Sequence, residues 1–349
     1  MIALVAIMLM AGTVLSGCSG WIFDEPPPSA EAEAEEPVAL EPEPEEAAPP
    51  VAEGPYRSPW ELRFESWPMA FGFSNDEGSK VIHVFYDFTE EEEDEAEAGD
   101  EAGGDVDIDV IDEEGLYAEH FEPGNYYANT GFDPDRFSLA VGAYSEIWPI
   151  YFSKWQDESP ANNGRDNSGN FDKLPGFVFA QKAWKLSRNK TYLLTDMDTL
   201  IDSMLAIFPP GWKGNTPPMA EETVASIEDY MDRGVVWAKT LAVTMDGGLI
   251  GLVLYERQGN DMLFSIVYMD DNKTLFWNNP AEYDETSTWR VDAGEEPGSF
   301  EPLLLARFDE GLMLILTWRA PEGENVVVLY EDYGAFVQSQ DLVFTRYMP

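Results

Sequence analysis

Residues 240–258, TLAVTMDGGLIGLVLYERQ, consist of two short apolar runs on either side of a tight Asp-Gly-Gly turn. Runs rich in Val, Leu and Ile that are broken by glycine turns are typical of antiparallel strands. Residues 138–156, SLAVGAYSEIWPIYFSKWQ, have the same length, share Leu-Ala-Val near the start and also end on Gln. The likeness predicts a strand–turn–strand unit that recurs along the chain.

Two more stretches have the same form. Residues 303–320 turn at Asp309-Glu310-Gly311, and residues 70–87 turn at Asp76-Glu77-Gly78. Each of the four copies is followed by another strand, turn and strand, which predicts a mainly β fold of four-stranded antiparallel meanders. The predicted units cover residues 70–121, 139–195, 241–277 and 304–338.

This repeat resembles a β-propeller at the level of architecture, with each unit as one blade. The resemblance covers the region from residue 56 onward and points to no particular family. Segments 60–67 and 342–347 are expected to add edge strands that close the ring. A β-sandwich, or two stacked meanders, is the alternative reading of the same pattern.

Residues 196–234 interrupt the strand pattern and predict a small helical insertion. Apolar residues at 197, 200, 201, 204, 205 and 208 have helical spacing, which predicts a helix over 196–208. Pro217-Pro218 precede a second predicted helix over 219–233, with Gly234 placed as its C-cap. Both helices are expected to pack over the end of the domain that carries the long loops.

An antiparallel meander sends successive connections to alternate ends of its sheet. The turns inside each predicted strand pair are short, whereas the connections between pairs include all the long ones. We therefore expect the long connections to gather at one end, where binding loops are usually found. They are residues 88–105 (an acidic stretch expected to be disordered), 122–136, 156–176, 196–234 and 278–302.

The first eighteen residues have the features of a targeting signal. Residues 2–14 form an uncharged apolar run that is too short to span a bilayer but suits a signal peptide, and the run ends in Leu15-Ser16-Gly17-Cys18. These residues resemble the lipobox of bacterial lipoproteins. The resemblance covers some eighteen residues and implies that residues 1–17 are removed and that Cys18 is attached to a membrane lipid. It further implies an extracytoplasmic location, and Ser19 favours the outer membrane if the organism has one.

Charge is the most unusual bulk property of the chain, whose formal net charge is −47. Residues 24–53 hold eleven acidic residues and no Lys or Arg, so residues 18–55 are expected to form a disordered Pro/Glu/Ala tether. Residues 90–114 hold fifteen more acids, yet without either segment the charge would still be near −21. Such a surface argues against a nucleic-acid partner. Solubility, a salty habitat, a cationic partner or divalent cations would each account for it.

Few residues point to a particular chemistry. With one cysteine and two histidines, the chain lacks the usual ligands of a zinc site, and no glycine-rich phosphate loop is found. No cofactor is therefore expected. A loop with oxygen ligands at alternate positions is a candidate calcium site, with a plain polar loop as the alternative. Its residues are Asp166, Ser168, Asn170 and Asp172.

Aromatic and acidic residues mix in the long connections, as they do in many sugar-binding sites. The candidate ligand-binding residues are Tyr126, Tyr127, Asp133, Asp135, Trp212, Tyr283, Asp284 and Trp289. Alternatively, the rings only pin the loops. We expect a non-enzymatic surface module that presents its loops to a glycan, peptide or protein. A carbohydrate-active hydrolase with a carboxylate pair and a structural lipoprotein of an envelope complex are the alternatives.

Overall fold

A computed structural model describes residues 59–84, 132–181, 185–210, 218–340, 342 and 344–347. The predicted signal peptide, the tether and the acidic loop 88–105 lie outside these residues. The described part is mainly β, and its strands form three antiparallel sheets. Three helices accompany them: α1 (Pro59–Ser66), α2 (Met197–Ile201) and α3 (Glu221–Met231). None of these helices is long and apolar enough to cross a membrane.

Sheet 1 has seven strands in the order β4-β3-β7-β1-β2-β6-β5. Although β4 and β5 lie at opposite edges, only Ile150 separates them in the chain, so the sheet curls into a half-barrel. The strands are β1 (Ala70–Ser74), β2 (Lys80–Val84), β3 (Leu139–Gly142), β4 (Glu146–Pro149), β5 (Tyr151–Gln156), β6 (Gly176–Ala180) and β7 (Thr191–Thr195).

The order of sheet 1 corrects the predicted units 70–121 and 139–195, since the described strands of both share one sheet. Residues 85–121 of the first unit lie outside the described residues. The expected hairpin of β6 and β7 is not formed; the β1–β2 hairpin lies between them. The burial pattern gives the reason. All five residues of β1 and of β7 are buried, whereas β4 and β5 are largely exposed. Strands that are buried on both faces take central positions, and half-exposed strands are left at the edges.

Sheets 2 and 3 contain the meanders expected at 241–277 and 304–338. Sheet 2 has the order β13-β12-β11-β10-β9, and sheet 3 has the order β17-β16-β15-β14-β8, with β18 also paired to β16. The strands of sheet 2 are β9 (Ile207–Phe208), β10 (Val235–Thr244), β11 (Leu249–Tyr255), β12 (Asp261–Met269) and β13 (Thr274–Glu282). Those of sheet 3 are β8 (Met204–Leu205), β14 (Ser299–Phe308), β15 (Gly311–Ala320), β16 (Gly323–Asp332), β17 (Ala335–Gln338) and β18 (Phe344–Tyr347).

Sheet 3 lies between the other two sheets because its strands are apolar on both faces. Leu314 and Leu316 of β15 pack with Ile250 and Ile266 of sheet 2. From the same strand, Ile315 packs in a separate cluster with residues of sheet 1 and α1. This face-to-face stacking buries the bulk of the described apolar side chains.

One strand prediction and two helix predictions need correction. Residues 60–66 of the expected edge strand 60–67 belong to helix α1, and the indole of Trp60 donates a hydrogen bond of 2.8 Å to the carbonyl of Glu331. The helix predicted over 196–208 stops at Ile201, after which the chain forms β8 and β9. The helix predicted over 219–233 is present as α3, but it is capped by Asp232 in the left-handed conformation, not by Gly234.

The long connections do not share one end of the domain. We define the tight-turn end by the turns at 309–310 and 333–334 of sheet 3. The chain leaves sheet 1 for α2 at this end, because the amide of Arg307 donates to the carbonyl of Ser203. The long connection 283–298 lies at the opposite end. The expectation of one loop-bearing rim is therefore wrong, because it assumed that all sheets point the same way.

Candidate functional site

Several predicted site residues lie outside the described part of the chain: Cys18, Tyr126, Tyr127 and Trp212. Asp133 and Asp135 lie in a short 3-10 turn that leads into β3. The Asp133 carboxylate caps this turn by accepting a 3.0 Å hydrogen bond from the amide of Asp135. This is the ordinary role of an aspartate at a turn.

Tyr283, Asp284 and Trp289 share the 283–298 connection, and each is engaged in holding it. The Asp284 carboxylate accepts hydrogen bonds from the Thr286 hydroxyl and from two backbone amides, which lowers its pKa. Trp289 packs edge-on against Phe264 at 5.2 Å. The contacts favour the alternative in which these groups pin the loop.

Tyr283 lies at the rim of the same connection. Its hydroxyl donates to the carboxylate of Glu295 at 3.0 Å, which raises the pKa of the phenol, and Arg257 lies 4.0 Å from its ring centre. No hydrogen bond or ion pair joins this loop to Asp133 or Asp135 within the described residues. The described candidates thus fall into two groups, since Arg136, next to Asp135, donates to the carbonyl of Ser66 in α1, at the opposite end of the domain from this loop.

The candidate calcium loop is partly buried. Asp166 and Asn170 are buried, whereas Asp172 is exposed. The Asn170 Oδ1 atom has no hydrogen-bond partner among the described residues, which is the feature that best suits an oxygen ligand. However, the guanidinium of Arg346 donates to the Asp166 carbonyl at 3.0 Å and brings a positive charge to the loop. The calcium site stays a prediction.

Arg346 belongs to the most polar part of the interior. It bonds to the Thr191 hydroxyl at 2.9 Å and lies 3.4 Å from the carboxylate of Glu324, which also accepts hydrogen bonds from Thr191 and Arg319. Burial lowers the pKa of Arg346 to about 10, while Glu324 opposes that shift. The side chain therefore remains charged at neutral pH and links β18 to sheet 1.

The tight-turn end holds an open cavity of about 660 Å³, here called the α2 cavity. It lies between α1, α2 and the end of β14. The side chains that line it include Arg63, Asp198, Asp202, Arg307, Phe308 and Asp309. A second, smaller cavity of about 500 Å³ lies beside Arg233, Asp261 and Glu282.

Both guanidinium groups of the α2 cavity already have carboxylate partners. One guanidinium nitrogen of Arg63 donates to both carboxylate oxygens of Glu310 at 3.0 Å, and the guanidinium lies 4.8 Å from the ring centre of Phe308. Arg307 lies 3.9 Å from the carboxylate of Asp270. The three aspartates of the cavity have no ion-pair partner within the described residues, so their negative charge is not offset locally.

Helix α2 presents apolar side chains beside this cavity. Leu200 is buried, whereas Met197 and Ile201 are 43% and 66% exposed. The helical spacing predicted that all three would lie on the packed face of a longer helix, so this exposed surface was not expected. The available signal was that Met197 and Ile201 alternate with Asp198 and Asp202 at the same four-residue spacing.

Comparisons with known proteins give no further guide to the site. No protein family, no curated protein and no solved structure matches the chain. The site must therefore be judged by its own chemistry. Among the described residues, no group of three or more His, Cys, Asp and Glu side chains is placed to hold a metal ion.

Proposed function

We propose that this chain is a lipid-anchored extracytoplasmic lipoprotein whose folded part, a stack of antiparallel β-sheets, serves as a binding module. The observation that carries the proposal is the sequence Leu15-Ser16-Gly17-Cys18 at the end of a short apolar run. A thiol between small residues is what the lipid-attaching and processing enzymes require. The acidic tether that follows would hold the folded part away from the bilayer.

The described structure supports the binding part of the proposal. Stacked sheets with buried apolar layers between them form a rigid scaffold, and connections at their ends can then be held in fixed positions. The α2 cavity is such a position, since α1, α2 and β14 frame it and buried contacts hold all three. The carboxylates of Asp133 and Asp284, which were candidates for the pair of a hydrolase, instead accept hydrogen bonds within their own turns.

Lipid attachment is tested by expressing the full chain in a bacterial host and comparing it with a Cys18→Ser variant. We expect the unchanged chain to fractionate with membranes and to carry a diacylglyceryl group on Cys18, as read by mass spectrometry of the N-terminal peptide. The Cys18→Ser variant should lose both properties, and a Ser19→Ala control should keep the lipid. Recovery of the unchanged chain in the cytoplasm with residues 1–17 still attached would refute the proposal.

A further inference from the structure

The exposed face of α2 is an apolar surface that nothing in the described structure covers. Met197 and Ile201 are four residues apart and therefore lie on one side of the helix. Ile201 is 66% exposed, although its position in the apolar helical pattern predicted that it would be buried. Large apolar side chains exposed together beside a cavity are typical of interaction sites.

The charge next to this face is negative. Asp198 and Asp202 form a second four-residue pair along the same helix, and Asp309 reaches the cavity from the β14–β15 turn. The nearby cations do not balance them, because Arg63 is paired with Glu310 and Arg307 lies beside Asp270. The surface thus combines an apolar stripe with a carboxylate-lined hollow.

We propose that the exposed face of α2 and the adjoining cavity bind a basic amphipathic segment of a partner protein. In this arrangement a Lys or Arg side chain of the partner enters among Asp198, Asp202 and Asp309. The apolar side chains of the partner then cover Met197 and Ile201. The inference rests on the proposed binding function and names the partner class and the surface for it.

Charge complementarity selects this occupant over others. A chain with a net charge of −47 repels acidic partners and anionic surfaces, whereas it attracts basic ones over distances of about a Debye length. Amphipathic segments commonly dock by placing their apolar face in a groove. Lys and Arg suit the rim of such a groove, since their stems cover apolar surface while the charged end reaches a carboxylate.

The test uses the full chain with Cys18→Ser, so that lipid does not enter the measurement. The probe is a fluorescein-labelled helical peptide of Leu and Lys with one apolar and one basic face, and its matched control has Glu in place of Lys. Binding is followed by fluorescence anisotropy at about 0.15 M salt, where long-range attraction is screened. We expect the Lys peptide to bind and the Glu peptide not to bind.

Two triple variants separate the site from the general charge of the protein. Asp198→Asn, Asp202→Asn and Asp309→Asn together should weaken binding about tenfold or more, since each removes a carboxylate of the cavity. Glu221→Gln, Glu222→Gln and Asp229→Asn on α3 remove the same charge elsewhere and should change the dissociation constant less than about twofold. The variant Ile201→Ser should also weaken binding, whereas Val291→Ser at the opposite end should not.

Equal losses in the two triple variants would overturn the inference, because binding would then follow net charge alone. Binding to phosphatidylcholine vesicles that depends on Ile201 but not on the three aspartates would also overturn it, in favour of a lipid surface. Neither result bears on the proposed attachment of lipid to Cys18, which is measured separately. Failure of this site and failure of the proposed lipoprotein are therefore distinguishable.

Discussion

Arg346 carries a positive charge into the interior, where its cost is balanced by hydrogen bonds and by Glu324. The side chain is fully buried, and its guanidinium reaches Thr191, Asn189 and the Asp166 carbonyl. It also lies 4.3 Å from the ring centre of Phe73. One residue from the last described strand thereby joins sheet 1, sheet 3 and the loop at 157–175.

Replacing Arg346 by Met should destabilise the fold by about 3–5 kcal/mol, because the acceptors on Asp166 and Asn189 would lose a donor and Glu324 would keep only one of its two cationic partners. The free energy of unfolding, measured by urea titration, checks this. Arg188→Met at an exposed position serves as control and should change stability by less than about 0.5 kcal/mol. A loss of under about 1 kcal/mol for Arg346→Met would show that the network is not buried as described.

His83 makes the stability of the fold depend on pH. Its Nδ1 atom donates to the Phe71 carbonyl at 2.7 Å, and its ring stacks on Phe132 at 5.0 Å. Burial lowers the pKa of His83, and the backbone hydrogen bond opposes this only in part. The unfolded chain therefore binds a proton more readily than the folded chain, and His83 adds stability above pH of about 6.5.

This contribution should be lost as the pH falls from about 6.5 through the pKa of the folded state. We expect urea unfolding to show a smaller pH-dependent loss between about pH 7 and 5 for His83→Asn, which keeps a donor for Phe71, than for the unchanged chain. Comparison at about pH 8 corrects for any loss of packing in the variant. Parallel stability curves for the two proteins would contradict the assigned burial.

At the scale of single residues, sequence reasoning found the turns but not the roles of the polar groups around them. Gly78, Gly247 and Gly311 lie at the three predicted tight turns and have positive φ angles, as the turn chemistry requires. In contrast, Asp284 and Trp289 were grouped with Asp133 as possible ligands. Asp284 is bonded within its own loop, and Trp289 packs on Phe264 of β12. Spacing alone does not distinguish such structural roles from ligand binding.

At the scale of elements, hairpins were predictable and long-range pairing was not. The meanders β10–β13 and β14–β17 follow chain order, so alternation and turns were enough to predict them. The pairing of β1 with β7 joins residues more than a hundred positions apart. It depends on which strands are buried on both faces, and this becomes clear only when the other layers are in place. α2 is shorter than predicted because the residues after it pair with β14 and β10.

Helix α1 shows how an element outside the sheets supports them. Trp60 is 2% exposed, and its ring lies 5.5 Å from Tyr330 and 6.0 Å from Phe308 of sheet 3. Trp60→Ala should lower the free energy of unfolding by about 3–5 kcal/mol, because it leaves a large cavity between α1 and sheet 3. Tyr333→Ala, at a side chain that is 93% exposed, should have little effect in the same urea titration. Equal effects would contradict the packing of α1.

At the scale of the whole molecule, the direction of sheet 1 relative to sheets 2 and 3 determines where the functional surface lies. The turns of sheets 2 and 3 meet at one end, where Lys273 pairs with Glu331 at 2.7 Å. Helix α1, which precedes β1, and helix α2, which follows β7, lie at that same end. The proposed docking surface therefore combines parts from sheet 1 and sheet 3, and a chain of identical repeats would not have formed it.

The most direct measurement is disulfide formation between Met204→Cys and Ala306→Cys in the Cys18→Ser chain. The two positions are register partners on β8 and β14, which places the start of the 196–234 insertion at the tight-turn end of sheet 3. Ala306→Cys with Met313→Cys, partners within one hairpin, is the control that should cross-link under either arrangement. We predict that both pairs oxidise, as read by the loss of free thiols and a shift on a non-reducing gel. Persistent free thiols in the first pair, with the control cross-linked, would contradict the arrangement of sheets and the position of the docking surface.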